Sequence, residues 1–126
     1  MTKVIISEDC GNSPKNIFVQ ELTIALAKDD MKFIQSNITD DVRWNLVGHS
    51  LIEGKEKIIE MLEQMKDAKA EELTIHHIAT HGKAGAVDGT IKFKNGKTVA
   101  YCNVYEFSNS KGTSVKEITS YEIEIK

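Results

Sequence analysis

The chain has 126 residues, of which 40% are hydrophobic and 28% are charged, and its formal net charge is -3. This length suits a single domain with one core, and the composition excludes a disordered or membrane-embedded protein. Because the two signs of charge are interspersed, no basic face is available for a phosphate backbone, so we expect neither nucleic acid nor a membrane as a partner.

The N-terminus carries only a short apolar run, Val4 to Ile6, which is too short for a signal-peptide core or a membrane span. We therefore expect a cytoplasmic location. Residues 1–12 are interpreted as a flexible lead-in and residues 13–126 as one domain. Cys10 and Cys102 show no ligand spacing and are interpreted as reduced thiols, and we expect no cofactor.

Helical periodicity predicts the next two elements. Ser13 can cap a first helix that has Pro14 at its first position, and Asp29 or Asp30 can cap a second, shorter helix over residues 31–38. The apolar residues of both helices recur at helical spacing. The predicted buried stripes are Phe18, Leu22, Ala25 and Leu26 in the first helix, and Met31, Ile34 and Ile38 in the second.

A strand is predicted over residues 41–47, followed by a connection with a glycine at each end and a third, amphipathic helix over residues 55–69. Beyond Glu71 the period changes from helical to alternating, with β-branched and aromatic residues between turn signals. Four strands are predicted there, in the runs "LTIHHIATH", "AGAVDGTIKFK", "KTVAYCNVYEF" and "TSVKEITSYEIEI".

The dipeptide Asn95-Gly96 predicts a hairpin with a two-residue type I′ turn. That turn would place Asp88 opposite Asn103, and Thr90 opposite Tyr101, on one face of the sheet. The other face would be apolar and would need a cover, for which a homodimer packed sheet on sheet is the simplest choice. The residues predicted on that face are Val87, Ile91, Phe93, Ala100, Cys102 and Val104.

The run "ITDDVRWNLVGHSLIEGKEKI", together with "NVYEF" and "SYEIEI", resembles the SnoaL-like branch of the nuclear transport factor 2-like superfamily, which includes ketosteroid isomerase. The resemblance implies an α+β fold in which a cone-shaped, curved antiparallel sheet wraps around three N-terminal helices. The implied order is helix, helix, strand, helix and four strands, with a pocket inside and a homodimer across the outer sheet face. The pocket-facing positions that it implies are Asn45, Val99, Tyr101, Asn103 and Tyr105.

Ketosteroid isomerase moves a proton with an Asp base and stabilises the oxyanion with a Tyr and a protonated Asp. The resemblance places Asn45 at the base, Asn103 at the oxyanion Asp and Leu22 at the Tyr. An asparagine cannot carry the proton and a leucine offers no donor, so we do not expect that mechanism.

A two-residue turn within "HGKA" would place His77 opposite Asp88, and Asp88 opposite Asn103, on the pocket face. A histidine oriented by a carboxylate is a competent general acid/base, so His77 and Asp88 are the predicted catalytic residues. The alternatives are a self-satisfied polar cluster or a register slip that turns His76 inward. We expect no metal site, because His77 and His81 lie roughly 13 Å apart along a strand.

Two questions of side-chain direction concern the ends of the predicted sheet. Trp44 and Asn45 alternate, and the resemblance favours Asn45 inward, with Trp44 on the outer side or at the mouth. On the last strand the resemblance favours Ile118, Ser120 and Glu122 inward, whereas apolar alternation favours the opposite set, Tyr121, Ile123 and Ile125.

The predicted function is binding of a small, mostly apolar organic molecule, with general acid/base chemistry such as isomerisation, dehydration or hydrolysis as the enzymatic version. The alternatives are a non-catalytic carrier or sensor, and a protein-association module with the same fold. A cavity filled by its own side chains would favour association, whereas an open pocket with convergent polar groups would favour binding or catalysis.

Overall fold

The computed structural model describes residues 2–65, 70–109 and 114–125, without the side chain of Asp9. These ranges contain three α-helices and seven strands, and a short 3₁₀ turn over Glu8–Cys10. The helices are α1 (Pro14–Lys28), α2 (Met31–Ser36) and α3 (Lys55–Gln64). The strands are β1 (Lys3–Ile6), β2 (Ile38–Leu46), β3 (Ser50–Glu53), β4 (Ala70–His81), β5 (Ala84–Phe93), β6 (Thr98–Phe107) and β7 (Val115–Ile125).

The strands form one sheet in the order β1-β4-β5-β6-β7-β2-β3. The prediction of an α+β fold with three helices is confirmed, but the sheet is mixed, since β1 pairs with β4 and β2 with β7 in parallel. Two short strands, β1 and β3, were not predicted, and each occupies an edge of the sheet. The cone shape stays a prediction.

The N-terminal segment, which the sequence suggested as a flexible lead-in, contributes a strand to the sheet. Residues 3–6 pair with residues 72–75 of β4, and Cys10 is 2% exposed within the core. The physical reason is that β4 would otherwise have unpaired backbone groups along this edge, and a strand of mixed polarity is enough to satisfy them.

The helix boundaries follow the predicted capping residues. The Ser13 side chain accepts from the Asn16 backbone N–H, and Asp30 does the same for Phe33. Asp29 ends α1 in the left-handed conformation, with φ 58°, so Asp30 rather than Asp29 caps α2. Helix α2 is shorter than predicted, since Ile38 belongs to β2. Residues 66–69 of the predicted third helix lie outside the described residues.

The loop between β5 and β6 differs from the prediction by one residue. The Phe93 N–H donates to the Lys97 carbonyl, Gly96 has φ 89°, and Asn95 does not adopt a positive φ. This is the three-residue loop with a left-handed glycine, not a type I′ turn. Asp88 therefore pairs with Cys102 and not with the predicted Asn103, so the predicted shared face is wrong.

Strand β4 contains a bulge at His76, because Ile75 pairs with Gly89 while His77 pairs with Asp88. A bulge adds one residue to a strand and so changes which side chains face the core. Ile75 and Ile78 both point inward, while His76 and His77 are both exposed.

The core lies between the helices and the inner face of the sheet, and residues from every helix contribute to it. Val87, predicted on the outer face, is 1% exposed and belongs to this core. The apolar side chains exposed on the outer face of β6 and β7 are Val104, Tyr121, Ile123 and Ile125. In the described part of the chain, no helix is long and apolar enough to cross a bilayer.

Candidate ligand-binding site

A cavity of about 330 Å³ lies between α1, α3 and the inner face of the sheet. Its volume is at the lower end of the range of ligand cavities, and most of its lining is apolar. The lining residues are Thr23, Leu26, Ala27, Asp29, Trp44, Leu46, His49, Met61, Leu62, Met65, Ala70, Leu73, Ile91, Phe93, Tyr101, Asn103, Ser120 and Glu122.

Trp44 and Ser120 form a buried polar contact at the wall of the cavity. The Trp44 indole Nε1–H donates to the Ser120 hydroxyl at 2.8 Å, and these residues are 7% and 3% exposed. β2 and β7 run in parallel and are adjacent, with Trp44 opposite Ile118, which brings the two side chains together on the inner face. The contact satisfies the only polar atom of the indole.

A second polar group connects the cavity to α1. The Asn103 amide nitrogen lies 3.5 Å from the Tyr105 hydroxyl, which lies 2.9 Å from the hydroxyl of Thr23. Thr23 in turn donates to the Val19 carbonyl at 2.7 Å. Tyr105 is 0% exposed, and burial raises the pKa of its hydroxyl despite the bonds to Thr23 and Asn103, which lower it.

Tyr101 lies beside this group and is 4% exposed. Its hydroxyl donates to the Thr74 carbonyl at 3.2 Å, and burial is the main cause that raises its pKa above the usual value. Gly89 opposite Tyr101 leaves room for this contact, because a Cβ there would overlap the Thr74 carbonyl. Tyr101 is therefore neutral at physiological pH and fixed in direction.

The ionisable groups lie toward the opening of the cavity. His49 and Glu122 are exposed, as is the apolar Met65, and Asp29 is half-buried. By contrast, the polar groups that the described residues place on the deeper wall are all neutral. The site thus separates an apolar interior with fixed hydrogen-bonding groups from a mouth that can exchange protons.

The five predicted ligand-binding residues are distributed over three environments. Tyr101 and Asn103 line the cavity. Val99 and Tyr105 belong to the same face of β6 but do not line it, and Tyr105 is completely buried behind Asn103. Asn45 is exposed on the opposite face of β2, so its predicted inward direction is wrong.

The directions of Trp44 and of the last strand are also settled. Val42, Trp44 and Leu46 alternate inward along β2, and this apolar alternation was the signal that should have placed Trp44 in the site. On β7 the set implied by the resemblance is the correct one, because Ile118 and Ser120 are buried while Ile123 is 72% exposed.

His77 and Asp88 form the predicted pair, with Nδ1 and Oδ1 2.9 Å apart. Their side chains are 69% and 45% exposed on the outer face, so their predicted position on the pocket face is wrong. The bulge at His76 and the longer β5–β6 loop are the physical reasons. Their catalytic role stays a prediction, without the geometry that motivated it.

Sequence reasoning missed two polar residues of the cavity wall, Thr23 and Trp44, whereas Ser120 was expected to point inward but was not named as a ligand-binding residue. Thr23 lies in an apolar stretch of α1, before Ile24 and Ala25, and no local pattern indicates that it belongs to the site. Its role depends on its hydrogen bond to Tyr105, which is remote in the sequence. Over residues 2–65, 70–109 and 114–125, no three His, Cys, Asp or Glu side chains lie close enough together to hold a metal ion.

No functionally curated protein is detectably similar in sequence. The fold is similar to a nuclear transport factor 2-like protein of unknown function from Cytophaga hutchinsonii, with TM-score 0.68 and 24% identity over 85% of this chain and 97% of that one. It is also similar to an LEH-like epoxide hydrolase from M. tuberculosis, with TM-score 0.71 and 23% identity over 83% and 79% of the two chains.

A third similar structure is a candidate SnoaL-like polyketide cyclase from Shewanella denitrificans, with TM-score 0.76 and 14% identity over 88% and 92% of the two chains. These likenesses show the fold. The family itself is identified by sequence, since the SnoaL-like domain model matches residues 19–115, which is most of the chain. The match includes every lining residue of the cavity except Ser120 and Glu122, because it ends at the first residue of β7. The chain therefore belongs to the SnoaL-like domain family.

Proposed function

We propose that this protein binds a small, mostly apolar organic molecule in the cavity between the helices and the sheet. The observation that carries the proposal is the cavity itself, about 330 Å³ with an apolar lining and a few convergent polar groups. A protein-association module would fill this space with its own side chains. The open cavity favours a ligand.

The chemistry of the lining defines the ligand class. Its apolar residues come from both layers, for example Leu26 from α1, Leu62 from α3 and Ile91 from β5. Among the residues that the structure describes, no lysine or arginine lines the cavity, so an anionic ligand would bury its charge there without a described cationic partner. The favoured ligand is therefore uncharged in the part that enters the cavity.

The proposal is tested with a library of small cyclic hydrocarbons and their oxygenated derivatives, screened by ligand-observed NMR. Ala27→Phe introduces a large side chain into the cavity from α1. The control, Ala79→Phe, adds the same side chain on the outer face of β4, away from the cavity. We expect molecules that bind the wild type and Ala79→Phe but not Ala27→Phe. Binding that is indifferent to Ala27→Phe, or no binding at all, would refute the proposal.

The second candidate function is general acid/base catalysis on the bound molecule, and it is favoured by the presence of His49 and Glu122 on the cavity lining. Imidazole and carboxylate groups can transfer protons near neutral pH. The similar structures named as an epoxide hydrolase and a candidate polyketide cyclase make hydrolysis and cyclisation the reactions to test first.

Hydrolysis of styrene oxide is a direct assay. A base removes a proton from water, the water oxygen bonds to one ring carbon as the C–O bond at that carbon breaks, and the ring oxygen takes up a proton to give the diol. Glu122→Gln removes the proposed base, and we expect turnover to fall by about 100-fold or more. The matched control is Glu124→Gln on the same strand, because Glu124 pairs with Lys97 at 3.5 Å and does not line the cavity. Equal activity of the two variants would exclude Glu122 as the base.

We further propose a homodimer through the outer face of β6 and β7. Its support is the group of exposed apolar side chains there, with Tyr121 49%, Ile123 72% and Ile125 47% exposed. Ile123→Lys should convert the dimer to a monomer in sedimentation velocity, while Lys92→Ala, at an exposed position of β5, should not. A monomeric wild type at high concentration would contradict the proposal.

The cytoplasmic location stays a prediction.

A further inference from the structure

We propose that the inner wall of the cavity binds a hydroxyl group of the ligand, with Ser120 donating to its oxygen and Asn103 accepting its proton. The inference rests on the proposed ligand-binding function and assigns the ligand class more narrowly, as an uncharged alcohol on an apolar frame. It is carried by the directions of the hydrogen bonds around these two side chains.

Trp44 determines whether the Ser120 hydroxyl donates or accepts in the hydrogen bond between them. An indole Nε1–H can only donate, so the Ser120 oxygen must accept from Trp44 at 2.8 Å. Ser120 makes no other side-chain hydrogen bond within the described ranges, which include its whole surroundings on β2 and β6. Its own proton is therefore available, and since this 3% exposed residue lines the cavity, the proton is directed to a ligand.

Which branch of the Asn103 amide faces Tyr105 follows from the hydrogen bonds of Thr23, at the far end of the same series. Thr23 uses its only proton on the Val19 carbonyl, so it must accept from the Tyr105 hydroxyl. Tyr105 has thereby used its own proton and can only accept from Asn103, which must present its amide nitrogen.

The amide oxygen of Asn103 consequently points away from Tyr105. Oxygen and nitrogen occupy the two branches of one planar group, so fixing the nitrogen fixes the oxygen on the other branch. No described residue donates to this oxygen, and Asn103 lines the cavity. The series of hydrogen bonds that begins at the Val19 carbonyl thus ends at the Asn103 amide oxygen, which can accept from a ligand.

The donor and the acceptor are neighbours. Asn103 pairs directly with Ser120 across β6 and β7, and both side chains lie on the inner face. Side chains directly opposite each other have Cβ atoms about 4.5–5.5 Å apart, so one oxygen atom can reach both groups at hydrogen-bond distance.

A hydroxyl is the group that satisfies both neighbours with one atom. A ketone or ether oxygen accepts from Ser120 but leaves the Asn103 oxygen without a donor, and a hydrocarbon satisfies neither. A carboxylate would repel the Asn103 oxygen and place a charge beside a wall on which none of the described residues is a lysine or an arginine. Asn103 is half-buried, so a ligand that covers its oxygen without donating to it leaves that acceptor unpaired, at a cost large enough to discriminate between these ligands.

The test compares three molecules with the same bicyclic frame: 1-tetralol, 1-tetralone and tetralin. Trp44 is the only tryptophan, so its Nε1–H gives a single indole signal in ¹H–¹⁵N NMR spectra and reports on the Ser120 contact. We expect 1-tetralol to bind about 5-fold or more tightly than tetralin, with 1-tetralone between them. The Trp44 indole signal should shift further with 1-tetralol than with tetralin.

Ser120→Ala should remove most of the advantage of 1-tetralol over tetralin while changing tetralin binding less than about 2-fold. The matched control is Thr119→Ala, one residue away on the outer face of β7. If Ser120→Ala does not fold, the three-ligand order and the indole shifts of the wild type decide alone.

The outcomes separate the two proposals. If all three molecules bind with equal affinity, or if 1-tetralol binds most weakly, the hydroxyl inference is wrong and the cavity function stands. If none of the three perturbs the Trp44 signal, both proposals fail together.

Discussion

Gly89→Ala is expected to be among the most damaging small substitutions in this protein. A Cβ at position 89 would overlap the carbonyl oxygen of Thr74 on the neighbouring strand and would lie 2.9 Å from the Tyr101 hydroxyl. The first obstacle is backbone, so β4 and β5 would have to separate locally. The Tyr101 bond to Thr74, which is 3.2 Å long, would be lost at the same time.

The magnitude follows from these two effects. Forcing extra volume into a packed site costs about 1 to 3 kcal/mol, and leaving the buried hydroxyl and carbonyl unpaired adds about 1 to 3 kcal/mol. We therefore expect the free energy of unfolding to fall by about 2 to 6 kcal/mol. Gly85 on the same strand and face is the matched control, since a Cβ there meets only side chains, the nearest being Val19 at 3.0 Å. Gly85→Ala should cost about 1 to 3 kcal/mol.

The assay is urea unfolding followed by circular dichroism, at one protein concentration for all variants because a dimer would make stability concentration-dependent. The midpoint should fall in the order wild type, Gly85→Ala, Gly89→Ala. Gly89→Ala as stable as the wild type, or more stable than Gly85→Ala, would refute the reasoning, because the overlap with Thr74 would then not exist.

Tyr105→Phe should lower the free energy of unfolding by about 1 to 3 kcal/mol in the same assay, because it removes the hydroxyl between Asn103 and Thr23; an unchanged midpoint would contradict this. Because burial raises the pKa of Tyr101 and Tyr105, the folded state keeps protons that the unfolded state loses above about pH 10, so stability should fall as the pH rises further. Tyr101→Phe should make stability fall less steeply with pH, and an unchanged pH dependence would argue against Tyr101 as one of the groups responsible. His77→Gln should leave ligand affinity unchanged in the NMR titration, since His77 lies on the outer face; weaker binding would return it to the site.

Periodicity and capping residues were enough to predict the helices, because the signals for helices are local in the sequence. Ser13 and Pro14 marked the start of α1, and Asp30 marked the start of α2. The edge strands β1 and β3 were missed because four residues carry too little pattern, and their pairing depends on partners that are remote in the sequence.

The site was harder to predict, since side-chain direction in a sheet depends on single residues. A two-residue turn was expected at Asn95-Gly96, and the additional loop residue moved Asp88 from beside Asn103 to beside Cys102. The bulge at His76 had a similar effect on β4, and neither feature has a signal in the local composition. Tyr101 and Asn103 were placed correctly by the family resemblance, and they share one face because they are two residues apart on one strand.

Strand β1 also has a consequence for the behaviour of this protein in concentrated solution. It covers residues 72–75 of β4, a strand of 12 residues that would otherwise lie at the end of the sheet. A long, bare strand edge is a template on which other chains can assemble into fibrils or aggregates. By placing a four-residue strand outermost, the N-terminal segment shortens the edge that a second chain could extend. Removing the first seven residues should therefore promote aggregation before it affects the cavity.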